Sequence, residues 1–177
     1  MMTTAQRRDD GMTLVELIIV VLVSGVFLTL IALIFGSGLS AQQRATERDA
    51  ITGQLNAVTA HLTETVRSST DIKVSASGMR LDARFLNSDG TTWECRAWQL
   101  MSNELRYSAG SGARPAASMT WKSLGSKISG TLTGGAAFTQ SGKRLSLGLQ
   151  QSQGDTKVAV SNGAVAQIVM AGGPACW

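Results

Sequence analysis

The sequence predicts an α+β fold: one long N-terminal α-helix, transmembrane in its first half and amphipathic in its second, packed on a C-terminal antiparallel β-sheet. Three observations carry this expectation. An apolar run broken by a single charge fills residues 14–35. An apolar stripe at helical spacing follows over residues 51–66. Beyond residue 72, apolar and polar residues alternate between turn signals built from Gly, Ser, Asn and Asp.

Residues 1–11 form a short polar leader that ends at Gly11 and contains nothing that folds. Arg7 and Arg8 stand just before the apolar run, which by the positive-inside rule keeps the N-terminus cytoplasmic. The run of 22 residues from Leu14 to Phe35 would make a helix about 33 Å long, enough for a hydrocarbon core of about 30 Å. It holds Ser24, Gly25 and Thr29 but no proline, and Gly36 and Gly38 close it. An ordinary secretory signal has a shorter apolar region, about 7–15 residues, although Gly36-Ser37-Gly38 resembles a weak cut site. An uncleaved signal anchor fits the length and flanks but not Glu16, since a charge in the middle of a membrane helix costs about 2.5–3.5 kcal/mol.

After Ser40 the helix continues in water. Ile51, Leu55, Val58, Leu62 and Val66 step along one helical face, with Arg48, Asp49, Gln54, Asn56, Thr59, Glu64 and Arg67 between them. One helix is expected from about Met12 to Ser69, with disturbance at Gly36, Gly38 and Gly53. His61, the only histidine, falls beside the stripe and reads as a rim residue. The chain thus divides into a leader (1–11), a transmembrane helix (12–39), its amphipathic continuation (40–71) and an extracytoplasmic β-rich domain (72–177).

The remaining residues suit four to seven strands. Leu145, Leu147 and Leu149 alternate with Ser146, Gly148 and Gln150 and mark the clearest half-buried strand. Trp93, Cys95 and Ala97 share one face of another, with Glu94, Arg96 and Trp98 on the opposite face. Leu105 and Tyr107 follow Ser102-Asn103 as the return of a hairpin. Val158 and Val160 open a strand after Gly154-Asp155. Further turns are expected at Asp89-Gly90, Ser141-Gly142 and Asn162-Gly163. Weaker strands lie at residues 79–85 and 128–132, a strand end or short turn at 121–124, and a loop at 109–118.

The formal charge is +4 and the leader is neutral. From His61 onward there are twelve Lys and Arg against seven Asp and Glu, so the globular part carries +5. Such a surface is either simply solvated or attractive to an acidic partner. With Trp93, Trp98, Trp121 and Trp177, and with Lys143 and Arg144, it also suits single-stranded DNA, whereas packing is the plainer role for the tryptophans. One histidine supplies no Ser-His-Asp or Cys-His set, and no spacing of residues suits a metal or other cofactor. Gly110-Ser111-Gly112 lacks the strand–helix setting of a nucleotide loop. Cys95 and Cys176 stand 81 positions apart, outside any CxxC pattern. A domain outside the membrane would let them pair.

Gly11-Met12-Thr13-Leu14-Val15-Glu16 and the apolar run behind it strongly resemble the class III signal of type IV prepilins and pseudopilins. Met12 stands where that family most often has phenylalanine, and no proline interrupts the helix as in many major pilins. The resemblance implies a subunit of a type IV pilus-like filament and no enzyme. A prepilin peptidase would cut after Gly11 and methylate Met12, and Glu16 would pair with a neighbour's N-terminus and set assembly register. It further implies other pilin subunits and an assembly platform as partners. The subunit would sit as a single pass in the inner membrane before it enters a filament at the cell surface. Pilins commonly tie down their C-terminal region, which implies a Cys95–Cys176 disulfide, two free thiols being the alternative. The order of hairpin, Trp-containing segment, Phe138 strand and Gly142–Gln150 turn and strand is similar to minor pilins of the PilW or pseudopilin-J type. Three other roles share these features: a DNA-uptake (competence) tip pilin, an adhesive tip pilin, and a type II secretion pseudopilin.

Overall fold

A computed structural model describes residues 13–87, 89–170 and 172–177. The leader, including the Gly11–Met12 junction, lies outside the described residues. The chain divides into two compact units, residues 1–44 and 45–177. One helix, α1 (Leu14–Arg67), contributes to both. In the first unit every described residue is exposed, the whole apolar run included. The helix shows no interruption at Gly36, Gly38 or Gly53, contrary to the sequence expectation. A glycine costs about 1 kcal/mol in a helix, whereas a break would create two new ends and a second costly nucleus. The Ser37 and Ser40 hydroxyls donate to the carbonyls of Ile34 and Gly36, at 2.8 and 3.1 Å, and fold back onto the helix.

The helix stops at Arg67 rather than at residues 69–71. The Ser68 hydroxyl donates to Glu64 O and the Ser69 hydroxyl to Val66 O, at 2.8 and 2.6 Å. These local bonds satisfy the final carbonyls, and Ser69 already begins β1 (Ser69–Val74). The chain continues through β2 (Arg80–Leu86), β3 (Trp93–Met101), β4 (Glu104–Gly110) and β5 (Lys122–Ser126), an antiparallel meander in that spatial order. The second sheet holds β6 (Ile128–Gly130), β7 (Phe138–Ser141), β8 (Arg144–Gln153) and β9 (Thr156–Val165). In it β8 pairs with β6 and β7 on one side and with β9 on the other. Among the described residues there are therefore nine strands in two sheets, more than the single sheet expected. Ser102 and Asn103, with φ of 51° and 61°, turn the β3–β4 hairpin. At Asp89-Gly90 the Asp89 carboxylate accepts from the Thr91 and Thr92 amides and from the Thr92 hydroxyl, which holds its carboxyl down at about 2.

Asn162-Gly163 is not a turn. Both residues lie inside β9, opposite Leu147 and Ser146 of β8. Pairing with β8 continues through Ala164 and Val165, and Ala164 is buried. Ten residues of ladder outweigh a two-residue turn preference. The Asn162 side chain instead accepts from its neighbour's amide, Gly163 N–H, at 2.7 Å.

The core lies in the second unit. Ile51, Leu55, Val58, Leu62 and Val66 are all buried, the stripe read from the sequence. Against them pack Ile72, Leu81, Trp98, Leu100 and Leu105 from the first sheet, and Ile128, Phe138, Leu145, Leu147 and Leu149 from the second. Burial of each large aliphatic side chain contributes about 1.5–3 kcal/mol. Trp98 faces this core, so the helix-facing side of β3 carries Trp98 and Leu100, and Cys95 and Ala97 face away.

The sheets are joined through their edges. Gly78, in the β1–β2 turn at φ 69°, offers its carbonyl to the amides of Ala137 and Phe138, at 3.0 and 2.9 Å. A Cβ here would lie 2.5 Å from that of Ala136, so only glycine fits. Beyond it, the Gln140 amide group bridges Ile72 O and Val74 N along the outer edge of β1, at 2.9 and 2.8 Å. The Lys143 ammonium donates to Thr70 O at 3.0 Å. On β5, the carbonyls of Leu124 and Ser126 accept from Gln54 and Gln151, both at 3.1 Å.

The tail after β9 returns across the first sheet. Cys176 is bonded to Cys95 of β3 with a Cα–Cα distance of 5.4 Å, and both are buried. The Trp177 ring lies under the Arg84 guanidinium, 5.6 Å from its centroid. Replacing both cysteines by serine is expected to cost about 2–5 kcal/mol. It should lower the denaturant midpoint of the full chain in detergent and open the tail at 166–177 to protease.

His61 is exposed at the helix flank, edge-on to Trp98 and Tyr107 with ring centroids 5.9 and 5.3 Å away. Partial burial of the ring against Trp98 and Tyr107, and then the Arg96 charge, hold its pKa below the ordinary value of 6.5; Glu64 opposes this and Lys122 adds to it. In the range just below pH 6.5 the unfolded chain therefore binds the extra proton and the folded chain resists it. Stability is expected to fall as pH drops through that range and to be level above it. Denaturation midpoints measured against pH should show this step in the native chain and lose it in His61→Gln.

Candidate functional site

The described part of the candidate site begins at Thr13. Its hydroxyl accepts from Glu16 N–H at 3.3 Å, and its carbonyl accepts the first intrahelical bond, from Leu17 N–H at 3.1 Å. Thr13 is thus the N-cap of α1, and Glu16 lies in the first turn. Thr-x-x-Glu is a capping pattern legible in the sequence, and the reading by motif alone had missed its local role. A carboxylate in the first turn also complements the positive end of the helix dipole.

Behind this turn the helix presents apolar side chains all round. Leu14, Val21, Leu28 and Ile34 are 76, 62, 65 and 70% exposed, and neither Leu22 nor Phe27 finds cover within the unit. The helix is long and apolar enough to cross a membrane, and it suits a single-pass anchor. A helix apolar on every side needs an apolar surrounding, either lipid or other helices. Glu16 is the one ionisable group among residues 13–43. This gives the surface a specific chemistry: uniform apolar contact with a single carboxylate one turn from the start. Gly11 and Met12, the other two residues singled out from the sequence, lie outside the described residues.

The residues considered for a nucleic-acid surface are dispersed and largely engaged. Trp98 and Trp121 are buried, at 0 and 6% exposure. Trp93 lies against Gly173, and Trp177 is occupied by Arg84. Lys143 holds the β1 edge, while its neighbour Arg144 is exposed. Four arginines form ion pairs: Arg80 with Asp82, Arg84 with Asp71, Arg96 with Glu94 and Arg106 with Glu104. Two of them also hold the loop after β4. Arg80 donates to the carbonyls of Arg114 and Pro115, at 2.7 and 2.9 Å. Arg106 donates to Ser118 O at 3.1 Å. In the sequence these count only as charge, because nothing local shows that a guanidinium will meet a distant carbonyl.

Gly110 of the Gly-Ser-Gly stretch closes β4, and the Arg114 guanidinium covers it while donating to Ala109 O at 2.9 Å. Its cover is an internal arginine. Among the described residues no group of three or more His, Cys, Asp or Glu is placed to hold a metal.

No curated protein and no solved structure matches the chain significantly. A family match does fall on the N-terminal segment, across the cap, Glu16 and most of the apolar run. Residues 6–32 carry the prokaryotic N-terminal methylation motif, the class III signal of type IV prepilins.

Proposed function

We propose that this chain is a pilin or pseudopilin subunit, cut after Gly11, N-methylated at Met12 and assembled through its apolar helix into a type IV pilus-like filament. The observation that supports this is the coincidence of two features on one segment. The methylation motif covers residues 6–32, and the same helix leaves its apolar surface bare on every side. Processing by a prepilin peptidase and assembly with other pilins follow from the motif.

Before assembly the helix spans the inner membrane with its N-terminus in the cytoplasm, the orientation that Arg7 and Arg8 favour. In the filament the same side chains pack against neighbouring helices and need no change of conformation. Cleavage places a new α-amine one helical turn from Glu16. A free α-amine titrates near 7.7–8 and is largely charged at neutral pH. Pairing Glu16 with the amine of a neighbouring subunit leaves neither charge uncompensated in an apolar bundle, and does so at one axial offset only. Such a pair sets register more than it adds stability. The domain at 72–177 lies outside the membrane, where its disulfide is stable. The role of a minor subunit fits the proline-free helix.

The N-terminal mass of protein recovered from its native cells tests the processing step. A chain that begins at N-methylated Met12 is expected. A chain that keeps Met1, or one that begins near Leu39, would overturn the reading. Glu16→Ala tests assembly. Loss of one member of a buried ion pair costs about 3–5 kcal/mol. The variant should therefore reach the membrane at the native level and be missing from sheared filaments; incorporation at the native level would refute the role of Glu16.

A further inference from the structure

Most strand edges in the second unit are closed. Gln140 and Lys143 cover β1, Gln54 and Gln151 reach the carbonyls of β5, and Gly78 binds the start of β7. β9 is different. It pairs with β8 along its whole length, and among the described residues no strand lies on its other side. The pairing with β8 is regular from Thr156 to Val165. Gly163 N–H is taken up by its neighbour's side chain, Asn162, and Ala166 N–H points inward to Lys143 O. By alternation, the main-chain groups of Lys157, Ala159 and Ser161 then face outward. On the core side, Val158 and Val160 are only partly buried.

From this we infer that the outer edge of β9 docks a second copy of itself, antiparallel, about a two-fold axis at Ala159. The strand fits itself in that register. Ala159 faces Ala159 and Lys157 faces Ser161, so the outward groups exchange about six main-chain hydrogen bonds. Val158 meets Val160 on the core side and covers the exposed part of each. The lone charge of the strand, Lys157, never faces its own copy. The Asn162 side chain over Gly163 N–H ends the ladder where the match ends. No proline blocks the edge, and one lysine is little of the protection that long open edges usually carry.

The pairing does not depend on the filament reading. If that reading holds, the paired form stands outside the filament, because a polar filament has no two-fold axis of this kind. It would then be a form of the unassembled subunit that competes with incorporation.

Cysteine cross-linking of the full-length protein in detergent tests the pairing. Facing residues of a hydrogen-bonded pair lie about 5.5 Å apart at Cα, within the range of about 4.4–6.8 Å that a disulfide spans. The native Cys95–Cys176 bond is buried and stays closed under mild oxidation. Ala159→Cys is expected to give a covalent dimer, and Val169→Cys, at the most exposed apolar position of the tail, is expected to stay monomeric. Mixed Lys157→Cys and Ser161→Cys chains should join each other and not themselves. Ser161→Pro removes the outward N–H, and with it the weak hydroxyl bond to Leu147 O at 3.5 Å, and should abolish the Ala159→Cys dimer; Ser161→Ala, which loses only the hydroxyl, should keep it. Equal cross-linking at 159 and 169, or a dimer that survives Ser161→Pro, would overturn the proposal. Either result is read whether or not Met12 is processed, so failure here is separate from failure of the filament reading.

Discussion

Burial of one helical stripe organises the globular unit. Ile51, Leu55, Val58, Leu62 and Val66 reach both sheets at once. Neither sheet could cover its inner face without them: Trp98, Leu100 and Leu105 from one, and Leu145, Leu147 and Leu149 from the other, meet on the same helix. The edge bonds made by Gln140, Lys143 and Gly78 then fix how the sheets abut. The stripe is thus covered by buried side chains from both sheets rather than from one.

The same helix has two kinds of surface along its length. From Ile51 onward its apolar residues form a stripe and are buried within the chain. Before Leu39 they surround the helix and are exposed. A stripe is satisfied by one partner on one side. A helix apolar all round is satisfied only by an environment that encloses it. Lipid and a bundle of helices are both such environments, and under the proposed reading the segment meets first one and then the other. Glu16 distinguishes the two. Lipid offers it no partner, and under the proposed reading a neighbouring N-terminus does.

The charge of the domain reads differently once its partners are known. A balance of +5 suits either a simply solvated surface or one that attracts an acidic partner. In the fold, much of the cationic chemistry is directed inward. Arg80 and Arg106 satisfy carbonyls of the irregular segment after β4, Arg114 reaches back from that segment to Ala109 O at the end of β4, and Lys143 satisfies the edge of β1. A buried main-chain carbonyl without a partner is costly, and a long cationic side chain reaches one from a neighbouring strand. Charge counting cannot separate that use from a binding surface.

What the sequence determined by itself was short in range. The methylation motif, the cap pattern from Thr13 to Glu16, the apolar run and the buried stripe all follow from residues within a few turns of one another. The hairpin at Ser102-Asn103 and the alternation of Leu145, Leu147 and Leu149 are equally local. The tertiary structure decided what depends on distant partners. It placed Asn162-Gly163 inside a strand because β8 offered ten residues of ladder. It divided the strands between two sheets because the stripe needed cover from both. It brought Cys176 within 5.4 Å of Cys95 because the tail crosses the back of β3. Local preferences amount to a few tenths of a kcal/mol up to about 1 kcal/mol per residue. Pairing and burial summed along a whole element exceed them, so long-range contact prevails wherever the two disagree.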